Sequence, residues 1–394
     1  MKVCFETFGC RLNKAEALQM EADYLADGWE VTTKHSDANL FVVRGCSVTA
    51  RAQYECEKLI AHLKRHYPAA GIKVCGCLKS TDSSPTIKRP THSTSQPLNS
   101  STSQPLPVRT ARAYLKVQDG CAGKCTFCIV PKFRGESRSE PFTDLLDRAK
   151  RFIEAGYHEI VVTGCNLALY ASEGKHLPDL VSALAALDTG CRIRLGSLEP
   201  GACALETVPV MAEAPNICRF LHLPVQSGSN KILLAMRRPY VVKDVEKTAT
   251  LAAKLMPDLG LGCDLMTGFP GESELDFAAT RGLLKRLPFA HAHVFPFSER
   301  PGTLAVGFPR QIPKEIRSAR ARLLADDMRS KRRKFAKTFI GKTVEIVVED
   351  EKTGRGWTGE YLPCEPLSGS FVRKSIARVF VTKTKDDLLL GDPR

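Results

Sequence analysis

The sequence predicts an α/β protein in three parts: an N-terminal parallel α/β domain, a central partial βα barrel and a small all-β barrel at the C-terminus. Three observations lead there. Short apolar strand patterns alternate with amphipathic helical patterns over two long stretches. A Ser/Thr/Pro-rich tract separates those stretches. Beyond a strongly basic helical segment, only strand patterns and Gly-containing turns remain. A length of 394 residues, at about 100–200 residues per domain, allows two or three domains.

Residues 2–8 read as a first strand, and 13–27 as a helix with Ala17, Leu18, Met20, Leu25 and Ala26 among charges. Leu40–Val43 is a short buried-type strand, 48–67 a second amphipathic helix, and Ile72–Cys75 a third strand. This alternation is the pattern of parallel α/β units. From Ser80 to Pro107, Ser, Thr and Pro supply 18 of 28 residues, and the hexapeptide STSQPL occurs twice. So little apolar content cannot pack, and the tract reads as a flexible linker. Strands resume at Ala113–Val117, with further candidates at Ile160–Thr163, Arg192–Leu195, Phe220–Leu223, Gly262–Thr267 and Ala292–Phe297. Helices lie between them, including Asp144–Ala155 and Pro178–Leu187. Six strands spaced by helices imply a βα barrel, whose chemistry belongs at the C-terminal strand ends. Six of the nine residues Arg329–Lys337 are Lys or Arg, and Thr343–Val348 and Ile376–Thr382 alternate as strands beyond them. The domain boundaries expected are 1–79, 80–109 (the linker), 110–335 and 336–394.

Hydrophobic residues at 43% and charged residues at 25% exclude a disordered or collagen-like chain. A formal net charge of +14 points to an anionic partner, nucleic acid first. No apolar run approaches the roughly 20 residues of a membrane span. The start MKVCFETFGC lacks the features of a secretory signal. A cytoplasmic protein without a membrane partner is expected. Its fifteen cysteines are then read as metal ligands or buried residues, not disulfides.

Cys121, Cys125 and Cys128 lie just past the Ala113–Val117 strand at spacing C-x3-C-x2-C. Three thiolates on one loop can wrap an iron–sulfur cluster. In a 4Fe–4S cluster they leave one iron open to a small chelating molecule. A zinc site would want a fourth Cys or His nearby, and the next histidine is His158.

This loop in its context, Lys116-Val-Gln-Asp-Gly-Cys121 through Cys128-Ile-Val-Pro131, resembles the radical S-adenosylmethionine (SAM) signature, and specifically the methylthiotransferase branch of that superfamily. The likeness covers most of the chain. Thr7-Phe-Gly-Cys10-Arg-Leu-Asn13, Val43-Arg-Gly-Cys46-Ser-Val-Thr49 and Gly76-Cys77 match the three cysteine motifs of that branch's N-terminal domain. Phe220-Leu-His-Leu-Pro-Val-Gln-Ser-Gly228, Arg237-Arg-Pro-Tyr240, Asp264-Leu-Met-Thr-Gly-Phe-Pro-Gly-Glu272 and Phe295-Pro-Phe-Ser-Glu-Arg-Pro-Gly-Thr303 match its barrel motifs. The C-terminal β module resembles the TRAM domain, an RNA-binding barrel.

The resemblance implies two 4Fe–4S clusters and SAM. Cys121, Cys125 and Cys128 would hold the radical-generating cluster, and Cys10, Cys46 and Cys77 an auxiliary one. No catalytic residue is assigned beyond these ligands. Each of the last three follows a predicted strand, and loops at the same strand ends converge in parallel sheets. Cys75 lies within the third strand and reads as a packed residue, as do Cys4 and Cys56. Gly164, Ser197, Glu199, Gln226 and Asp264 are the candidate SAM contacts. A cysteine at 165 departs from the family pattern and could touch the ligand or fill space. His222 reads equally as a satisfied core histidine. His291 and His293 share a strand face, but without a nearby carboxylate or third histidine they read as packing rather than metal ligands.

The implied reaction converts C–H to C–SCH₃. One electron cleaves SAM to methionine and a 5′-deoxyadenosyl radical, the radical takes hydrogen from the substrate, and the auxiliary cluster supplies methylated sulfur. An electron donor such as flavodoxin or ferredoxin and a sulfur source are implied partners, and a monomer is expected. The basic residue after Cys10 is similar to the branch acting on C2 of threonylcarbamoyladenosine next to the tRNA anticodon. Other branches act on isopentenyladenosine or on a ribosomal-protein aspartate. An unpaired anticodon-loop base is reached at low unstacking cost. Arg329, Lys331, Arg332, Arg333, Lys334 and Lys337 are the candidate RNA contacts. The linker stands where family members continue the N-terminal domain with another strand and helix. A non-enzymatic alternative, an iron–sulfur RNA-binding protein, therefore stays open.

Overall fold

The computed structural model describes residues 1–47, 49–78, 81–82 and 110–394. The N-terminal unit is a five-stranded sheet in the order Glu30–Thr32, Lys2–Thr7, Leu40–Gly45, Gly71–Gly76, Thr81–Asp82. The first four strands are parallel and the last runs antiparallel to Gly71–Gly76. Helices Arg11–Ala26 and Ala50–His66 make the crossovers. Each sheet face has its own core: Val3, Met20, Tyr24, Trp29 and Val42 on one, Cys4, Phe41, Val43, Leu63 and Val74 on the other. Burial of Cys4 and Cys56 and the place of Cys75 within strand Gly71–Gly76 agree with the sequence reading. The two-residue strand Thr81–Asp82 falls within the expected linker 80–109 and adds an antiparallel edge to the sheet. The linker itself otherwise lies outside the described residues.

The central unit is an arc of six parallel strands. Ala113–Lys116, Glu159–Thr163 and Arg192–Leu195 form one group, and Phe220–Gln226, Gly260–Thr267 and Phe289–Pro296 the other. Single bridges at Ile193–Ile217 and Ser197–His222 join them. One continuous apolar core fills the space between strands and surrounding helices. The partial barrel and every strand expected for it are therefore present, with ends shifted by up to three residues.

The basic segment belongs to a long helix, Lys314–Lys337, that leads into a closed five-stranded β barrel. Its interior holds Ile346, Val348, Cys364, Val379, Val381 and Leu389. This small barrel is clamped to the central unit through a buried charge. Glu159 is fully buried and faces Arg194 at 2.7 Å, Arg192 and Arg112. Arg192 and Arg194 donate onward to backbone carbonyls of the small barrel: Arg192 to Glu345 at 2.9 Å and Trp357 at 3.0 Å, Arg194 to Gly359 at 3.0 Å and Thr358 at 2.9 Å. Burial opposes the charge on Glu159, but the arginines outweigh it and hold the carboxyl well below the usual carboxylate range. Among the described residues no helix is long and apolar enough to cross a membrane.

Glu159→Gln should strip the arginine cluster of its only fully buried counter-charge. A loss of about 3–5 kcal/mol in unfolding free energy is expected from breaking one side of a buried pair, measured by urea unfolding against wild type.

Candidate active site

The C-x3-C-x2-C loop is held from below and from one side. The Thr126 N–H donates to Met236 O at 3.1 Å and its hydroxyl to Ala235 O at 3.0 Å. The Gly123 N–H donates to Cys121 Sγ at 3.3 Å. A side-chain carbon at position 123 would meet the sulfurs of Cys121 at 3.1 Å and Cys125 at 3.8 Å, so both sulfurs gather over that glycine. Arg238 donates to Cys125 Sγ at 3.1 Å and pairs with Glu199. Burial pushes the Cys121 thiol up and the Cys128 thiol up to about 11. Free thiolates are disfavoured here, and a metal-borne positive charge reverses that preference.

Cys10, Cys46 and Cys77 all lie at the same end of the N-terminal sheet. Gly45 pairs with Gly76 in register, so Cys46 and Cys77 leave adjacent strands side by side. The Cys77 N–H donates to Gly45 O at 3.1 Å, and the Ser47 hydroxyl donates to Cys77 O. Gly9 has φ +88°, and a side chain there would strike Cys46 Sγ at 2.9 Å. Only glycine permits that approach. Asn13 ties the first cysteine turn to the second strand, donating to Phe8 O at 2.8 Å and Gly45 O at 3.0 Å. Cys10 is exposed, whereas Cys46 and Cys77 are buried.

One arginine on the helix after the Cys121–Cys128 loop reaches the other cysteine set, and nothing local in the sequence marks it. Arg134 ends the short helix Val130–Arg134 that follows Cys128. Its Nε donates to Cys77 Sγ at 3.3 Å. Nη1 reaches Glu16 at 3.0 Å and Asp119 at 2.9 Å. Nη2 reaches Asn13 at 2.8 Å and Glu16 at 3.0 Å. The planar donor set is thus spent on a sulfur, two carboxylates and an amide, a geometry that lysine cannot reproduce. Burial pushes Asp119 up, but Lys116 and Arg134 outweigh it and hold the carboxyl at about 2. Glu16 is lowered in the same way, against its burial, by Arg134 and Arg44. Cys165 sits at this junction, its sulfur 3.6 Å from Asp119 Oδ1, and burial raises its thiol well above the ordinary range.

The candidate SAM residues divide. Gln226 ends its strand at φ 63°, a conformation rare for a non-glycine residue. Its Oε1 is buried without a hydrogen-bond partner among the described residues. Ser197 is exposed two residues past strand Arg192–Leu195, bridged to His222 of the neighbouring strand. Glu199 accepts from Asn166 at 2.8 Å and is held by Arg238. At Gly164 the space for a side chain is taken by Gln118, whose Oε1 would stand only 3.0 Å from a Cβ placed there, so packing alone already requires glycine.

Asp264 sits elsewhere, inside the barrel lumen below the strand ends. Its Oδ1 lies 3.0 Å from His222 Nε2 and 3.1 Å from His293 Nδ1. His291 Nε2 is 3.1 Å from His293 Nε2, and His291 Nδ1 contacts Arg332. The expectation that the two strand histidines lack a carboxylate and a third histidine is therefore corrected: neighbouring strands supply both. Arg332 is a pure donor, so His291 Nδ1 accepts and its Nε2–H points at His293. His293 then carries its proton on Nδ1 and donates to Asp264. This chain of donors runs from Arg332 through His291 and His293 to Asp264. His222 is buried, with Nε2 3.0 Å from Asp264 Oδ1 but without an aligned hydrogen bond among the described residues.

The basic helix also divides. Lys331 donates to Leu284 O and Leu287 O, and Arg332 pairs with Asp387 and reaches Tyr361 O at 3.1 Å. Both act within the protein and leave the set of solvent-facing RNA candidates. Arg333, Lys334 and Lys337 are exposed, Arg333 pairing with Asp386 at 2.8 Å, and Arg329 pairs with Asp326.

Residues 115–284 match the family model of the Radical SAM superfamily, and residues 2–95 that of an uncharacterized protein family, UPF0004. The chain is 30% identical to the threonylcarbamoyladenosine tRNA methylthiotransferase MtaB of Aquifex aeolicus, over 89% of this chain and 93% of that protein. It is likewise 30% identical to the tRNA-2-methylthio-N(6)-dimethylallyladenosine synthase of Coxiella burnetii, over 88% of each. The chain belongs to the radical SAM methylthiotransferase family. The radical SAM methyltransferase TsrM of Kitasatospora setae shares the fold, with a TM-score of 0.56 at 12% identity over 77% of this chain and 74% of TsrM.

Membership in the methylthiotransferase family implies a 4Fe–4S cluster and SAM. The residues fit both. Three cysteines share one loop with a cation and an N–H already directed at their sulfurs, and the orphaned Gln226 oxygen at a strand end offers an acceptor to a cationic ligand.

Arg134→Lys should keep one charge and lose most of the five contacts. A destabilisation of about 2–4 kcal/mol is expected from leaving Glu16 and Asp119 incompletely paired, with faster amide exchange in helix Arg11–Ala26 than in the central barrel. Both carboxyls are lowered on folding, so this stability is present at neutral pH. It fades as pH falls from about 4 toward 2, which urea unfolding at several pH values measures.

Proposed function

We propose that this methylthiotransferase adds a methylthio group to C2 of N6-threonylcarbamoyladenosine next to the anticodon in tRNA. The observation that carries the transferase reading is that Arg134, at the end of the helix directly after the three-cysteine radical SAM loop, donates to Cys77 of the second three-cysteine sheet end and pairs with Glu16 beside it. In this reading Cys121, Cys125 and Cys128 hold the radical-generating cluster, and Cys10, Cys46 and Cys77 hold an auxiliary one. When bound, the two clusters and SAM would supply the radical that takes hydrogen from carbon and the sulfur that replaces it.

The protein's own residues orient and insulate. Arg238 stabilises negative charge on Cys125 and fixes Glu199 at the strand ends. Arg134 does the same for Cys77 and sets the spacing between the two cysteine sets. In this reading Gln226, Ser197 and Glu199 meet SAM, and the close packing of Gln118 against Gly164 supports the turn beside them. The packed barrel wall excludes water from the reacting carbon.

Relatives of both adenosine types match at equal identity, so their names do not choose the nucleoside. The lumen does favour one. His222, Asp264 and His293 line it with donors and acceptors. An isopentenyl group would strip these of water and return no hydrogen bond, whereas a threonylcarbamoyl group offers several. RNA would approach through Arg333, Lys334, Lys337 and the adjoining β barrel, with a flavodoxin- or ferredoxin-like electron donor and a sulfur source as further requirements.

Cys125→Ala should abolish 5′-deoxyadenosine formation by reduced, reconstituted protein. Cys46→Ala should retain that cleavage and stop methylthio transfer. Mass spectrometry of tRNA nucleosides from cells carrying each variant reads the second step. Methylthiolated threonylcarbamoyladenosine at wild-type levels with Cys46→Ala contradicts the auxiliary assignment, and methylthiolation of isopentenyladenosine instead contradicts the nucleoside.

Replacing Arg333, Lys334 and Lys337 together by Gln should weaken tRNA binding without altering substrate choice. The slope of log affinity against log salt should fall by roughly 0.7–0.9 per lost phosphate contact, measured by titrating tRNA at several salt concentrations.

A further inference from the structure

The residue directly after Cys10 does not turn outward. Arg11 begins helix Arg11–Ala26, and its guanidinium lies 5.3 Å over the ring of Tyr361. Tyr361 comes from the C-terminal barrel and plugs the lumen from the opposite end. Its ring centre is 4.6 Å from that of Phe220 and 5.6 Å from that of His291, and the guanidinium of Arg194 also stands 5.3 Å from it. These contacts come from three different barrel strands, so the half-buried Arg11 reaches the barrel through the Tyr361 ring. Tyr361 holds φ 67°, which costs energy for an aromatic residue and persists only where the surroundings fix it.

The other arginines around the lumen and the cysteine loops have an acidic partner. Arg194 and Arg192 have Glu159, Arg332 has Asp387, Arg134 has Glu16 and Asp119, and Arg238 has Glu199. Arg11 has no carboxylate partner among the described residues; it lies over the Tyr361 ring and hydrogen-bonds its hydroxyl, which lowers that phenol against its burial. A half-buried cation without a carboxylate partner is a receptor for an anion. The anion must reach it from the space below Cys10, among the hydrogen-bonding groups of His222, His293 and Asp264. A nucleobase whose reacting carbon faces the sheet end of Cys10 carries its N6 substituent into that space.

We infer that Arg11 is the specificity-determining residue that binds the carboxylate of the substrate's amino-acid substituent, displacing its guanidinium from the Tyr361 ring or sharing that ring with it. The inference rests on the threonylcarbamoyladenosine reading and gives it a residue. Arg11 sits one position from a proposed cluster ligand, so recognition of the substituent and placement of the carbon at the sulfur source are coupled through a single backbone turn.

The test uses reconstituted full-length protein and two anticodon stem-loop RNAs. One carries threonylcarbamoyladenosine with its free carboxylate, the other the same nucleoside with the carboxyl as a primary amide. Wild type should prefer the acid over the amide in kcat/KM by about 10–100-fold, the range of a charge-assisted hydrogen-bond pair. Arg11→Gln should bring that ratio close to one, mainly by lowering turnover of the acid, and Arg11→Lys should keep part of it. A purely structural role, or binding of Arg11 to the SAM carboxylate or an RNA phosphate, would lower both substrates together and leave the ratio unchanged, which overturns the inference. A wild-type ratio near one overturns it without any variant. If wild type does not methylthiolate the acid RNA at all but acts on an isopentenyladenosine RNA, the nucleoside reading fails and the inference with it.

Discussion

The constraint on which the rest of this molecule depends is the buried guanidinium of Arg134. A five-donor plane at the end of the radical SAM loop meets a sulfur, an amide and two carboxylates of the other unit and of the barrel floor. None of these partners could be buried alone at acceptable cost. Together they fix the distance and angle between two sheets that share no strand. The carboxylates stay ionised because the guanidinium and Lys116 are there, and the guanidinium stays buried because they are ionised. The geometry of the proposed chemistry follows from this mutual requirement.

The same device recurs at the opposite end of the barrel. Glu159 gathers Arg112, Arg192 and Arg194, and the spare donors of Arg192 and Arg194 pin the carbonyls of the C-terminal barrel. Several of the basic residues that suggest nucleic acid in the composition are therefore structural. Lys331 and Arg332, in the most basic stretch of the chain, cap a helix and brace Tyr361 instead of facing solvent. What remains exposed for the proposed RNA contact is Arg329, Arg333, Lys334 and Lys337.

The fold was largely legible because it is written in local periodicity. Apolar runs such as Leu40–Gly45 and Glu159–Thr163 are buried along their whole length, which composition alone signals. The short edge strands Glu30–Thr32 and Thr81–Asp82 were not, because three and two residues carry no period. Of the site, the spacing of Cys121, Cys125 and Cys128 was readable on one loop, and Cys10, Cys46 and Cys77 only through family likeness. The residues that bind these parts together were invisible. Arg134 and Glu16 are 118 residues apart, and nothing local marks either as buried. The lumen cluster was misread for the same reason: Asp264 and His222 reach His293 from neighbouring strands, a meeting that only register creates.

The central claim is that two separate cysteine sets, held in register by one arginine network, each carry a cluster. Iron content and Mössbauer spectra of anaerobically reconstituted protein test it most directly. Wild type should hold twice the iron of a variant with Cys10, Cys46 and Cys77 all replaced by Ala, and twice that of the variant lacking Cys121, Cys125 and Cys128. The two variants should give distinct 4Fe–4S signatures that sum to the wild-type spectrum. Equal iron in wild type and in the variant without Cys10, Cys46 and Cys77 would contradict the account.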